Sequence, residues 1–310
     1  MTDSITTVEK MPDSPGACQP RPHHTLWGDA WIRLRRNKLA VAGAIIILII
    51  ALAAIFAPFI TKYDFAHQDL AHTMAPPNSD HWLGTDDLGR DVFAQLLYGA
   101  RTSLAVGIFT QLIVLLIGLP IGAFAGSIGG RADNLLMRFV DIMYGFPDIL
   151  LIILLAFVLR GTSFANFGGG LFVIFLAIGL VSWVGVARLV RGQILSLKQR
   201  DFVTAARAMG GKGGYVTIRH LLPNSLGPII VAITFGIPRA IFTESALSYI
   251  GIGIKPPTPS WGAMINNGNN IIFAAPYVVL VPAVALGILM LAFTFLGDGL
   301  RDALDPRLRR

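Results

Sequence analysis

Long apolar stretches recur along the 310-residue chain, and polar segments separate them. A transmembrane helix needs roughly 20 predominantly apolar residues to cross the hydrocarbon core of a bilayer. Six stretches meet or approach that length. They lie at residues 39–60, 103–128, 139–159, 171–190, 229–251 and 277–297. The pattern predicts an all-α membrane protein with six transmembrane helices.

The second stretch contains residues that would weaken a helix in water. Gly118, Pro120, Gly122 and Gly126 all lie within it. Membrane helices tolerate such residues because neighbouring helices satisfy the freed backbone groups. Small residues also let two helices approach closely. We therefore expect a tight helix–helix contact along this stretch.

Charged residues lie inside the third and fifth stretches. Asp148 follows Pro147, and we expect it to cap a broken helix there. Arg239 follows Pro238, and Glu244 comes five residues after Arg239. Charges at membrane depth mark functional sites by default. Asp148, Arg239 and Glu244 are therefore candidates for a translocation path or a subunit interface.

The composition agrees with a membrane protein and excludes several other classes. Hydrophobic residues make up 54% of the chain and charged residues 14%, whereas soluble domains carry about 25% charged residues. The single cysteine, Cys18, allows neither a disulfide framework nor a cysteine metal site. The net charge of +7 is compatible with nucleic-acid binding, so the distribution of the charges decides its meaning.

The positive charges fall mainly on one side of the predicted spans. With both termini in the cytoplasm, only five of the 25 Lys and Arg residues lie outside: Lys62, Arg90, Arg101, Arg160 and Lys255. Cytoplasmic loops carry an excess of Lys and Arg. The charge therefore predicts a cytoplasmic-membrane protein with cytoplasmic N- and C-termini, and it requires no nucleic-acid partner.

The polar segments divide the chain into four parts. We expect a disordered cytoplasmic tail at residues 1–26. Residues 27–101 would hold an amphipathic helix on the inner lipid leaflet, the first span and an outer loop. Residues 102–300 would form the main transmembrane domain, with a cytoplasmic loop at 191–224, and residues 301–310 a cytoplasmic tail.

The outer loop is acidic and contains three of the six histidines, His67, His72 and His81. Histidines among carboxylates raise the alternative of a metal site. Their spacing of five and nine residues fits no compact ligand set. We therefore expect solvated loop residues and no metal ion.

The cytoplasmic loop at residues 191–224 has a helical pattern. We expect Asp201 to cap a helix over 202–209, which Gly210 and Gly211 end. A second short stretch over 215–222 would close at Pro223. Three alanines would give the first helix a small-residue face for a partner protein: Ala205, Ala206 and Ala208. An internal packing element is the alternative.

In this loop the chain resembles the membrane subunits of ATP-binding-cassette (ABC) importers. Their cytoplasmic loop has the pattern Glu-Ala-Ala, three residues, Gly, nine residues, Ile, one residue, Leu-Pro. The matching residues here are Ala205, Ala206, Gly210, Leu222 and Pro223. Thr204 stands in place of the usual Glu, and His220 in place of the usual Ile. The form at 220–224 looks like the peptide and nickel branch of these importers.

Three further segments resemble the C-type permeases of dipeptide and oligopeptide importers. They lie at residues 81–101, 256–262 and 297–306. The resemblance implies a type I ABC importer permease fold with no catalytic residues of its own. It also implies four kinds of partner: a homologous B-type permease, two ABC ATPase subunits that bind ATP and Mg, an extracytoplasmic peptide-binding protein and membrane lipid. The coupling residues that it implies are Thr204, Ala205, Ala206, Gly210, His220 and Pro223.

Alternatives remain open from the residues themselves. A nickel or glutathione importer permease would share these motifs. A stand-alone ion-coupled carrier belongs to a different class and needs intramembrane carboxylates. The chain has no G-x-x-x-x-G-K-[ST] phosphate-binding loop, so its driving energy must come from a partner or an ion gradient. Arg239 and Glu244 would either pair across a bent helix or contact a peptide terminus.

Overall fold

The computed structural model describes residues 26–163 and 170–305, and within these ranges the repeating secondary structure is helical. The helices are α1 (Leu26–Arg36), α2 (Lys38–Ile55), α3 (Ala57–Ile60), α4 (Val92–Ile128), α5 (Gly130–Tyr144), α6 (Asp148–Arg160), α7 (Leu171–Leu197), α8 (Asp201–Ala208), α9 (Gly213–Val216), α10 (Leu222–Tyr249), α11 (Trp261–Asn269) and α12 (Tyr277–Leu304). The predicted tail at 1–26 lies outside the described residues except for Leu26, and so does 306–310 of the predicted C-terminal tail. The amphipathic helix predicted from residue 27 is α1.

Five helical stretches are long and apolar enough to cross a membrane. They are α2, α4, α7, the continuous stretch Gly213–Tyr249 that contains α10, and α12. A sixth span exists only if α5 and α6 are counted together, and these two helices meet at 89°. The third predicted stretch, 139–159, is therefore not one continuous helix. Its apolar residues are divided between the end of α5 and the whole of α6.

The break between α5 and α6 has a local cause. Pro147 has no backbone N–H to donate, and a proline disfavours helical geometry at the preceding residue. The Gly145 N–H closes α5 by donating to the Asp141 and Ile142 carbonyls. The predicted break is thus confirmed. The predicted cap is not, because Pro147 is the N-cap residue and Asp148 is the first residue of α6.

The helix α4 is longer than its apolar core. The second predicted stretch begins at residue 103, but one helix of 37 residues runs from Val92 to Ile128. Asp91 caps it, with its Oδ1 accepting a hydrogen bond from the Ala94 N–H at 2.9 Å. Because no residue between Val92 and Pro120 breaks the helix, the polar turn before the apolar stretch continues into the span.

The glycines of α4 place α7 directly against its backbone. A Cβ atom built on Gly118 would lie 2.8 Å from the Trp183 carbonyl oxygen, and one on Gly126 would lie 2.9 Å from Cβ of Ile194. The corresponding Cβ on Gly122 would collide with the Ala187 carbonyl oxygen. Residues four apart share one face of a helix. The close approach predicted from the second stretch is therefore confirmed, and it holds α7, in which the 191–224 segment begins, against α4.

Candidate functional site

The coupling segment comprises residues 191–224. It begins within α7 and ends within α10. The first separate element is α8, which begins at Asp201 rather than after it. Arg200 is the N-cap residue and makes no side-chain capping bond. Asp201 instead lies in the first turn, where a carboxylate interacts favourably with the positive end of the helix dipole.

Two glycines end α8 as the sequence predicts. The Gly211 N–H donates to the Ala206 carbonyl at 3.0 Å, and the Gly210 N–H donates to the Arg207 carbonyl at 2.9 Å. This pair of bonds is a Schellman motif, which needs a residue in the left-handed region at its turn. Gly210 supplies that residue with φ of +89°. The motif holds the exposed Met209 in a fixed place at the end of the helix.

The two faces of α8 differ from the predicted small-residue face. Ala206 and Val203 are buried and pack in a cluster with Val216 of α9. Thr204 and Ala205 are exposed. The expectation that Ala206 faces a partner is therefore wrong, because the residue covers the apolar side of the coupling segment itself. Ala205 lies on the face that remains free for a partner.

The second part of the segment is continuous with a transmembrane helix. A π-helical turn at Thr217–Leu221 joins α9 to α10, and the Leu222 N–H donates to the Thr217 carbonyl. Pro223 lies in the first turn of α10, where a missing N–H is tolerated. The prediction that Pro223 closes a separate short helix is wrong. A movement of α9 would thus be transmitted directly into α10.

An open groove of about 600 Å³ lies between α8 and α9. Its lining residues are Ala206, Met209, Gly210, Gly211, Lys212, Tyr215 and His220. Three predicted coupling residues, Ala206, Gly210 and His220, therefore lie together. Thr204, Ala205 and Pro223 are exposed outside this lining. The His220 ring stands edge-on to the Tyr215 ring, with 5.9 Å between the ring centroids.

Lys198 fastens the coupling segment to the end of α4, and the sequence patterns gave no signal of it. Its Nζ donates to the carbonyls of Gly126 and Ser127 at 2.9 and 2.6 Å. These are terminal carbonyls of α4, which attract a cation. Burial lowers the pKa of Lys198, and the nearby Arg207 lowers it further. The Thr217 hydroxyl also lies 2.9 Å from Oγ of Ser127, so both halves of the segment touch the same helix end.

Two ion pairs hold α5 against α7. The Arg191 guanidinium contacts the Asp133 carboxylate through two nitrogens, at 2.5 and 2.7 Å. Arg188 donates to Asp141 at 2.6 Å. Planar guanidinium–carboxylate pairs of this kind fix relative orientation as well as distance. A displacement of the coupling segment would therefore reach α5 through α7.

The charged residues inside the membrane stretches do not pair as expected. Arg239 of α10 donates to Asp148 of α6 at 2.9 Å, and both side chains are exposed, 76% and 48% respectively. The alternative pairing of Arg239 with Glu244 is therefore wrong. Both residues were candidates from their position in apolar stretches, but the contact joins residues 91 positions apart and depends on the break before α6.

Glu244 lies apart from that pair and is fully buried. Its Oε1 accepts a hydrogen bond from the Ser248 hydroxyl at 2.6 Å. Among the described residues its Oε2 has no partner with good hydrogen-bond geometry. The Ser248 hydroxyl also accepts from the Ile254 N–H at 3.2 Å, so Glu244 supports the chain that follows α10.

The outer loop is a folded structure rather than a solvated chain. Asp86 accepts hydrogen bonds from the side chains of Arg90 and Gln95, at 2.7 and 2.8 Å. The buried His81 lies 3.2 Å from the Asp91 carboxylate. The prediction of a solvated residue is wrong for His81. The part of the chain that the structure describes contains no group of three or more His, Cys, Asp or Glu side chains suited to a metal ion.

Comparisons with known families agree with this architecture. The family described as "binding-protein-dependent transport system inner membrane component" matches residues 118–310. The family described as "N-terminal TM domain of oligopeptide transport permease C" matches residues 25–77. Together these matches cover most of the chain, including the coupling segment.

Several characterised proteins are similar over nearly their whole length. The oligopeptide transport system permease protein OppC of Bacillus subtilis is 44% identical and aligns over 92% of this chain and 91% of its own. The dipeptide transport system permease protein DppC of the same organism is 45% identical, over 94% and 88%. The glutathione transport system permease protein GsiD of Pectobacterium atrosepticum is 40% identical, over 92% of each.

The fold also matches a solved transporter. An inward-facing structure of the MetNI methionine ABC transporter superposes with a TM-score of 0.56 at 21% identity, over 68% of this chain and 96% of that chain. At this identity the match concerns the fold alone. It agrees with the fold of an ABC transporter permease.

Proposed function

Because this chain belongs to the family of inner membrane components of binding-protein-dependent transport systems, we propose that it is the C-type permease of an ATP-driven importer of dipeptides or oligopeptides. As a member it is a multi-pass inner-membrane protein and a translocating subunit rather than an enzyme. The observation that carries the peptide substrate is its identity of 44–45% with OppC and DppC over about nine-tenths of the chain.

The proposed complex contains a homologous B-type permease, two ABC ATPase subunits and an extracytoplasmic peptide-binding protein. The ATPases would bind ATP and Mg and would contact the coupling segment on the cytoplasmic side. The exposed Ala205 and the open groove beside α8 support this contact, because a partner can approach the backbone of α8 closely there. Both termini would lie on the same side as the ATPases.

The connections of the coupling segment suit the transmission of force. Its first half continues from α7 and its second half continues into α10. Lys198 and Thr217 tie both halves to the end of α4. ATP-driven closure of the ATPases would thus displace α4, α7 and α10 together. In an alternating-access cycle this displacement would open the permease pair outward, and hydrolysis would reset it.

Among the alternatives, a glutathione importer permease has a specific observation in its favour. GsiD is 40% identical to this chain over 92% of its length. Glutathione contains peptide bonds and free charged termini, so the same translocation path would serve it. A nickel importer permease would share the motifs but has no comparable support from the geometry. A stand-alone ion-coupled carrier does not fit a family whose members work with a binding protein.

Reconstitution tests the proposed function directly. The complete complex in proteoliposomes should accumulate a labelled dipeptide when ATP and the loaded binding protein are supplied, and omission of this chain should abolish uptake. The chain alone, with an imposed proton or sodium gradient, should accumulate none. Gradient-driven uptake by the chain alone would contradict the proposal. Mass spectrometry of ligands that co-purify with the binding protein would then separate peptides from glutathione and nickel.

A further inference from the structure

The break between α5 and α6 leaves polar groups exposed within the bent helix pair that forms the sixth candidate span. Residues 144–150 are all exposed, and they include the non-helical Gly145, Phe146 and Pro147. In hydrocarbon each unsatisfied backbone group costs several kcal/mol, so irregular backbone at this depth faces either protein or a water-filled cavity. The broken segment therefore faces the interior of the assembled complex and not lipid.

The exposed ion pair is joined to this break. Asp148 begins α6, and Arg239 reaches it from the interior of α10. A charge facing lipid near the bilayer centre costs about 2.5–3.5 kcal/mol on insertion scales. An exposed pair contributes only about 0–1 kcal/mol to stability. The small gain in stability therefore does not explain two exposed charges at this position, whereas a water-filled path does.

A cavity of about 180 Å³, with both polar and apolar lining residues, adjoins Arg239. The side chains of Gln111, Ser182 and Thr243 contribute to its lining. A Cβ atom on Gly236 would collide with the Gln111 amide, so the glycine lets this amide lie against α10. The amide and hydroxyl groups can both donate hydrogen bonds to a peptide unit and accept them from it.

The cavity is smaller than a complete ligand site. Pre-formed pockets for small molecules usually enclose about 300–1,000 Å³. A dipeptide would therefore occupy the cavity in this chain together with space supplied by the second permease. The geometry suits a transient contact during passage rather than a site of high affinity.

We propose that Arg239 and Asp148 form an exchangeable ion pair that receives the two terminal charges of a peptide zwitterion. The carboxylate terminus would replace Asp148 at the Arg239 guanidinium, and the ammonium terminus would replace Arg239 at the Asp148 carboxylate. The inference rests on the proposed peptide substrate. Two new ion pairs replace one existing pair, but both peptide termini lose hydration on binding, so the net gain is small. A transport path requires such weak binding, because the ligand must also leave the site.

Protection of a single cysteine tests the site. In a Cys18→Ser background, Ser182→Cys places a nearly isosteric thiol in the cavity wall. The rate at which this thiol reacts with N-ethylmaleimide is measured by mass-tagging of this chain. In the detergent-solubilised complete complex without ATP, a dipeptide with free termini should slow labelling about tenfold at about ten times its dissociation constant. The same dipeptide, N-acetylated and C-amidated, should not slow it. Thr162→Cys, an exposed position outside the cavity, is the matched control and should be unaffected.

Charge variants complete the test. Arg239→Gln and Asp148→Asn should each abolish the difference between free and blocked peptides. The exchanged variant Asp148→Arg/Arg239→Asp should restore it, because a zwitterion can bind a reversed pair. Equal protection by free and blocked peptides would overturn the inference, as would no protection in a complex that transports the peptide. A wild-type complex that transports no peptide would instead overturn the proposed function.

Discussion

Replacing Gly122 by alanine measures how tightly α4 must pack against α7. The added Cβ would collide with the Ala187 carbonyl oxygen and would lie 2.8 Å from Cβ of Val190. Both neighbours belong to α7 and cannot rotate away as the end of a flexible side chain could. The two helices must therefore separate locally, along the same face that holds the start of the coupling segment.

The free-energy cost of this overpacking is isolated by comparison with a matched control. Overpacking a well-packed interior costs about 1–3 kcal/mol. Gly→Ala inside a helix gains about 1 kcal/mol from helix propensity. Gly287 of α12 has nothing within 4 Å of its built Cβ, so Gly287→Ala should show the propensity gain without the overpacking. The difference between the two variants is then the packing cost, about 1–3 kcal/mol.

Thermal unfolding of the purified complex measures that difference. Gly122→Ala should melt below Gly287→Ala, and the larger Gly122→Leu should fail to accumulate in the membrane. Peptide uptake by Gly122→Ala should fall with its stability, because α7 packs on α4 at this glycine and contains the start of the coupling segment. Equal melting temperatures for the two alanine variants would refute the close packing that the structure shows.

Four further predictions concern the coupling segment and the buried carboxyl group. Ala205→Asp adds bulk and charge to the exposed face of α8, so we expect normal membrane insertion but fewer peptides moved per ATP; normal uptake would contradict this role. Gly210→Pro should give the same loss, since proline cannot adopt a φ of +89°. Lys198→Met removes two hydrogen bonds from the end of α4 and should destabilise that helix end by about 1–2 kcal/mol. The loss should appear as faster amide exchange at residues 126–128. Unchanged exchange would show that the two bonds do not stabilise the helix end. Glu244→Gln keeps an acceptor for the Ser248 hydroxyl and should be tolerated, whereas Glu244→Ala should lower stability by about 1–3 kcal/mol in a melting assay; equal melting of these two variants would be the contrary result.

The coupling segment contacts three helices, so substitutions at its different positions should have different effects. An alteration on the exposed face of α8 would affect only the proposed ATPase contact. An alteration at Lys198 affects the link between that contact and α4. Both should reduce coupling, but only the second should change the dynamics of the α4 terminus. Measuring amide exchange beside transport therefore separates docking from transmission.

Much of the candidate site could be predicted from the sequence, but its contacts could not. Gly210 ends α8 as expected, because its spacing after a helical run and its freedom at positive φ are local properties. The sequence also identified Asp148 and Arg239, since charges inside apolar stretches are conspicuous. It did not predict that they meet, because that contact needs two helices brought together at a bend of 89°. Lys198 was missed for the same reason, as its partners lie about 70 residues earlier.

Local chemistry thus determined what kind of protein this is. The length and spacing of the apolar stretches require membrane helices, because hydrocarbon offers the backbone no other hydrogen-bonding partners. Tertiary structure decided which polar groups face inward and which remain exposed. Ala206 and Ala205 have the same side chain and adjacent positions, yet one is buried against Val216 and the other is free. The difference arises from the packing of α8 on α9, which depends on the Schellman turn and the helix ends around it.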